Sequence, residues 1–147
     1  MRIEDVPERL AAAPCPELGD PAAVAGRPLD ARRVALVSTA GLMHGGDRPF
    51  SLGSADYRII DREDPRPLQM SHISTNFDRS GFAQDLNVVF PLDVLDDLAA
   101  DGTIGGVARF HYAFMGATDP LALTPAAEQL AGVLAGDNVD LAVLVPV

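Results

Sequence analysis

The sequence predicts an α/β fold, an open, mostly parallel sheet with flanking helices in a single domain. Residues 33–38 and 141–147 are continuous apolar runs rather than alternating ones, the pattern of parallel strands covered on both faces. Leu92, Leu95, Leu98 and Ala99 fall on one helical face, with Asp93, Asp96 and Asp97 on the other. Strands and helices alternate at short spacing, which calls for a parallel sheet with right-handed crossovers.

Length and charge narrow the class. A chain of 147 residues builds one domain with a real core. Its formal charge of −10 would repel nucleic acid and anionic membranes, so neither is an expected partner. The single cysteine, Cys15, cannot pair within the chain, which points to a reducing cytoplasm. Arg2, Glu4, Asp5, Glu8 and Arg9 break up the N-terminus and leave no apolar signal core. No apolar run reaches the roughly 20 residues that span a bilayer. A soluble cytoplasmic protein is expected.

Residues 1–32 read as a proline-containing leader and residues 33–147 as the α/β domain. Pro14, Pro16, Pro21 and Pro28 prevent long regular structure in the leader. Residues 33–38 read as the central strand, which ends in Ser38, Thr39, Ala40 and Gly41. Small hydroxyl residues and a glycine at that place suit a loop that approaches a ligand, and equally an ordinary turn. Residues 42–54 read as a loop, 55–60 as an edge strand, 61–67 as a charged turn and 68–73 as a short strand closed by His72. Residues 87–91 read as a strand that Pro91 ends, and Pro91 can also open the following helix.

Gly102 stops that helix. Residues 104–115 read as a strand with an irregular start. Phe110, Tyr112 and Phe114 share one face as core, opposite Arg109, His111 and Met115. Thr124 as N-cap and Pro125 in the first turn open a second helix, which buries Ala127, Leu130, Ala131 and Leu134.

The residues alone point to a polar cleft and no further. Ser74 to Asp85 is a crowded polar stretch between strands, containing Asn76, Asp78, Arg79, Ser80, Gly81 and Gln84. His44, His72 and His111 show no metal-helix spacing, and CxxC is absent, so no metal is expected. GxGxxG, GxxxxGK[ST] and GxSxG are absent too. His111, within a strand, reads as structural, while His72 sits beside the polar stretch.

Several blocks are more specific. They are Val34-Ala-Leu-Val-Ser-Thr-Ala-Gly41, Ser71-His-Ile-Ser-Thr-Asn-Phe-Asp78, Asp85-Leu-Asn-Val-Val-Phe-Pro-Leu-Asp93, Gly102-Thr-Ile-Gly105, His111-Tyr-Ala-Phe-Met-Gly116 and Val139-Asp-Leu-Ala-Val-Leu-Val-Pro-Val147. Over residues 33–147 the chain thereby resembles the selenoprotein B family, the selenocysteine-bearing subunits of glycine, sarcosine, betaine and D-proline reductases.

The resemblance implies a selenocysteine or cysteine directly after the last strand, beyond Val147, with a second cysteine a few residues on. It also implies a chain truncated at an in-frame UGA and inactive as it stands. The selenolate would attack the α-carbon of an amino-acid adduct held by a pyruvoyl group on a partner subunit, cleaving the C–N bond reductively. Dithiols would then regenerate the site.

Thr39, His72, Asp78, Asp85 and Asn87 are the expected lining, orienting a small amino-acid-type substrate and supplying a proton. Other reductase subunits or further copies of the chain are the expected partners. The rival reading is a non-catalytic small-molecule-binding or assembly module with the same fold.

Overall fold

The computed structural model describes residues 24–74 and 79–147. Cys15, Asn76 and Asp78 therefore lie outside the described residues, as does most of the predicted leader.

The fold is built around β1 (Arg33–Ser38), whose Val34, Ala35, Leu36 and Ser38 are essentially inaccessible to solvent. The other elements are β2 (Leu42–His44), β3 (Arg58–Asp61), β4 (Leu68–Met70), α1 (Ser80–Gln84), α2 (Leu92–Ala100), β5 (Gly106–Val107), β6 (Phe110–Ala113), α3 (Thr124–Gly136) and β7 (Leu141–Val145). β7 lies parallel to β1 along one flank, from Val34↔Leu141 to Ser38↔Val145. β5 and then β6 run parallel to it along the other, and β3 adds an antiparallel edge to β6. β2 and β4 form a separate antiparallel ribbon. The result is the expected single domain, a curled and mostly parallel sheet with flanking helices.

One face of the sheet is covered by α2. Leu95 is buried, and Leu92, Leu98 and Ala99 pack with Val34, Leu36 and Phe90, the face foreseen from the sequence. The other face carries the aromatic stripe. Tyr112 and Phe114 pack with Leu130 of α3, and Tyr57 meets the Tyr112 ring edge to face at 5.6 Å. Burying rings of this size is a main source of core stability.

Several elements depart from the expectation. Residues 87–91 are not a strand, because Leu86–Val88 forms a 3-10 turn. Asp85 accepts the Asn87 N–H at 2.9 Å and fixes that turn locally. The apolar Val88, Val89 and Phe90 had suggested a strand, but two of them, Val89 and Phe90, are simply core residues. The predicted loop at 42–54 begins with β2, which pairs with β4, and β4 ends at Met70, two residues short of His72.

β7 is not covered on both faces but forms an edge, with Leu144 72% exposed. α3 begins after a 3-10 turn, Pro120–Leu123, capped by Asp119 rather than by Thr124. That rotates its buried face to Leu123, Ala126, Leu130 and Leu134 and leaves Ala127 and Ala131 exposed.

The break between β5 and β6 replaces the single strand expected over 104–115. Val34 pairs with Val107 and Val37 with Tyr112, so two residues of β1 stand opposite four of the neighbouring strand. Such a bulge leaves a ladder N–H without its usual carbonyl. Here Leu36 N–H donates instead to His111 Nδ1 at 2.9 Å, with both residues fully buried. Phe90 packs edge to face against the imidazole at 5.7 Å.

The ring must be neutral to accept this bond, with its proton on Nε2. Burial, reinforced by the charge of Arg62, holds its pKa down at about 4. His111 is thus structural through Nδ1, while its buried Nε2 has no hydrogen-bond partner among the described residues.

A histidine whose folded pKa is depressed stabilises fully above its unfolded value near 6.5, and this is lost as pH falls towards about 4. Between pH 7 and 4 the loss should be on the order of 3 kcal/mol, added to what the carboxylates lose. His111→Leu should cost about 1–3 kcal/mol at pH 7 by orphaning the Leu36 N–H. It should also flatten this part of the pH dependence. Urea unfolding of both proteins at pH 7 and 4.5 checks it, and equal pH slopes would refute the assignment.

Candidate functional site

In open α/β sheets ligands bind beyond the carboxyl ends of the strands. Here the ends of β1, β6 and β7 converge on Thr39. Its N–H donates to Val145 O at 3.0 Å, and its carbonyl accepts the Gly116 N–H at 2.9 Å. Its hydroxyl oxygen accepts the Val147 N–H at 2.7 Å and donates to Val147 O at 3.3 Å. One side chain therefore clasps both backbone groups of the residue that leaves β7. Gly116 packs beneath the clasp. A Cβ there would lie 2.5 Å from Val147 O and 2.8 Å from Thr39 O, so the close approach requires glycine.

The preceding residue anchors the turn from inside. Ser38 is fully buried, and its hydroxyl donates to Val89 O at 2.8 Å while accepting the Ala40 N–H at 3.2 Å. On the far side Gly41 has a φ of +64°, a conformation that side chains other than glycine seldom adopt. A Cβ on it would come within 3.1 Å of the His72 backbone. Gly41 N–H donates to Phe114 O at 2.9 Å and Gly41 O accepts from Ser71 N–H at 2.8 Å, so the segment bearing His72 is stitched to the end of β1.

His72 is buried, and its Nδ1 accepts the Ser74 N–H at 3.2 Å. Burial and then the positive charge of Arg79 push its pKa below the usual histidine value. Arg79 donates to the carbonyls of His72, at 2.8 Å, and of Ser74. Arg79 also lines an open, largely apolar cavity of about 480 Å³, between the β2–β4 ribbon and α1, with Leu42, Met70 and Phe82 among its walls. That volume is within the range of small-molecule sites.

The structure thus places Thr39 and His72 on either side of the same turn. Asp85 and Asn87 are brought together elsewhere. Asn87 Nδ2 donates to Asp85 Oδ1 at 3.1 Å and to Asp93 Oδ2 at 3.0 Å, while Asp93 N–H donates to Asn87 Oδ1 at 3.2 Å. This exposed network caps the 3-10 turn and the start of α2, and it reaches the β1 turn through the Ser38–Val89 bond. Among the described residues no cluster of three histidine, cysteine or acidic side chains could hold a metal ion.

The other buried histidine, His44, is structural. Its Nε2 accepts the Asp61 N–H at 3.1 Å, and its Nδ1 lies 3.3 Å from Arg66 O. Sequence reasoning pointed to the turn from Ser38 to Gly41 and named Thr39 from it, but missed Gly116. The single signal for Gly116 was its place at the end of the His-Tyr-Ala-Phe-Met-Gly block.

Comparison with known proteins adds the lineage. Residues 20–146 match the family model for glycine/sarcosine/betaine reductase selenoprotein B. The chain belongs to that family. D-proline reductase subunit gamma of Acetoanaerobium sticklandii is 33% identical over 85 residues, which is 56% of this chain and 34% of that protein's length. The match thus spans about a third of this relative. No solved structure matches the chain. Among the described residues no helix is long and apolar enough to cross a membrane.

The geometry at Thr39 generates a direct test. Gly116→Ala should cost about 1–3 kcal/mol by forcing two backbone oxygens apart. Thr39→Val keeps the shape but removes the hydroxyl, and should cost about 1 kcal/mol. Thr39→Ser should recover most of that loss. Urea denaturation reads all three, and a Gly116→Ala protein as stable as wild type would contradict the close packing.

Proposed function

We propose that this chain is a subunit, or part of one, of a cytoplasmic reductase that cleaves a C–N bond of a small amino-acid-type substrate with a dithiol as electron donor. The observation that carries the reading is the family match over residues 20–146, joined to the meeting of β1, β6 and β7 at Thr39. The redox residue of this reading is a selenocysteine or cysteine that follows β7 on the polypeptide. The backbone leaving β7 suits that role, since Thr39 holds it at both polar groups and Gly116 gives it room. A residue displaced by even 1 Å from its reacting partner loses much of its rate advantage, which gives such a clasp a purpose.

When bound, a pyruvoyl group on a partner subunit would supply the electron-withdrawing carbonyl that activates the substrate amine as a leaving group. This chain's own contributions are positional. Thr39 fixes the strand exit. In this reading the proton relay is assigned to His72, which burial and Arg79 hold neutral and whose Nδ1 accepts the Ser74 N–H. The cavity beside Arg79 offers space for the body of a small substrate. Asp78 belongs to the segment that follows His72. Asp85 and Asn87 flank Leu86, a wall of the same cavity, and set the position of α2.

The coding frame gives the first test. The codon after Val147 should be TGA or a cysteine codon, with an open frame continuing past it. A TAA or TAG, or a frame continuing with another residue, would overturn the redox assignment. The protein expressed from that frame with its partner subunits should then release amine from glycine, sarcosine or betaine, or open the ring of D-proline, only when dithiol is present. Replacing the redox residue by serine should reduce turnover to background. A non-catalytic module would instead show no dithiol-dependent turnover with any of these substrates.

A further inference from the structure

The outer edge of β7 is uncharged from Leu141 to Val145 and meets no other strand among the described residues. Natural edge strands are usually protected by a charge, a proline or a bulge, and an unprotected one is a template for another strand. The register shows which groups it offers. Thr39 N–H donates to Val145 O, so Leu141, Val143 and Val145 turn their backbone groups towards β1. Alternate residues of a strand point the other way, which leaves the N–H and C=O of Ala142 and Leu144 on the open edge. Ala142 and Leu144 also share one face of the sheet, where Leu144 is 72% exposed.

These facts make the edge complementary to itself. We propose that β7 pairs antiparallel with β7 of a second copy of this chain, about a two-fold axis at Val143, so that one sheet runs through a dimer. In that register Ala142 faces Leu144 of the second copy, and Leu144 faces its Ala142. Each is an outward-facing pair that exchanges both its hydrogen bonds, four in all. On the exposed face the large Leu144 lies over the small Ala142, the complement that cross-strand packing favours. Asp140 comes opposite the second copy's Pro146 rather than another carboxylate. Pro146 has no N–H, which limits the pairing to this short span. A two-fold contact closes on itself and ends at a dimer. With a charge of −10 on each copy, added salt should tighten it.

Two measurements on the full chain decide the matter. Sedimentation equilibrium of the wild type should show a concentration-dependent dimer, tighter in higher salt. Leu144→Lys should be monomeric at every concentration, with the unfolding midpoint that the wild type shows when dilute enough to be monomeric. In a Cys15→Ser background, Val143→Cys should form an intermolecular disulfide on mild oxidation. Facing Val143 positions on the axis form a non-hydrogen-bonded pair with Cα atoms about 4.5 Å apart, within disulfide reach. A wild type that stays monomeric, or a dimer that Leu144→Lys leaves intact, would overturn the proposal. A dimer in which Val143→Cys does not cross-link would overturn the two-fold register. Should Leu144→Lys fail to fold, the cross-link alone decides. None of these outcomes depends on the reductase assignment.

Discussion

The hydrogen bond from Leu36 N–H to His111 is the constraint on which the rest of the sheet depends. β1 lies between β7 and a strand that takes two more residues than β1 to cover the same length. Without an acceptor at the bulge, the centre of the sheet would bury an unpaired donor at a cost of about 1–3 kcal/mol. The imidazole supplies it from a side chain, so the detour is tolerated and β6 resumes its register at Tyr112. That resumption has two consequences. It points Tyr112 and Phe114 at α3, and it brings Met115 and Gly116 back against the end of β1. The geometry at Thr39 is therefore set by an interaction well inside the sheet.

Much of the fold was legible because its signals were local and strong. The unbroken apolar run of β1 gave that strand to the residue, and the spacing of Leu92, Leu95 and Leu98 gave α2 and its buried face. The rest depended on contacts that a linear pattern does not encode. Val88, Val89 and Phe90 have the composition of a strand, yet the Asp85 and Asn87 side chains compete for the backbone and hold a 3-10 turn. β2 is three residues long and exists because β4, remote in sequence, pairs with it. Alanines at 127 and 131 carry too little apolar area to fix the phase of α3, so the preceding turn decided it.

The candidate site was legible only in part. A hydroxyl and a glycine after a central strand are a fair pointer to Thr39 and its turn, and a histidine beside a polar stretch is a fair pointer to His72. Gly116 and Ser38 matter for what approaches them from distant parts of the chain, and that depends on the fold. The exposed charges near β3 illustrate the opposite case. Arg109 grips Asp61 with two hydrogen bonds of 3.0 and 2.7 Å, and Arg62 holds Asp96 at 2.8 Å. Such solvated pairs contribute little stability each, but they tie the turn after β3 to β6 and α2.

The clasp of Asp85, Asn87 and Asp93 has a consequence for how relatives of this protein are recognised. These residues open and close one of the most distinctive blocks in the sequence, and their side chains are occupied with each other and with the start of a helix. A search keyed to that block selects for a way of turning a corner. It will gather proteins of common ancestry whatever molecule each has come to act on, and it will keep gathering them after the chemistry has drifted.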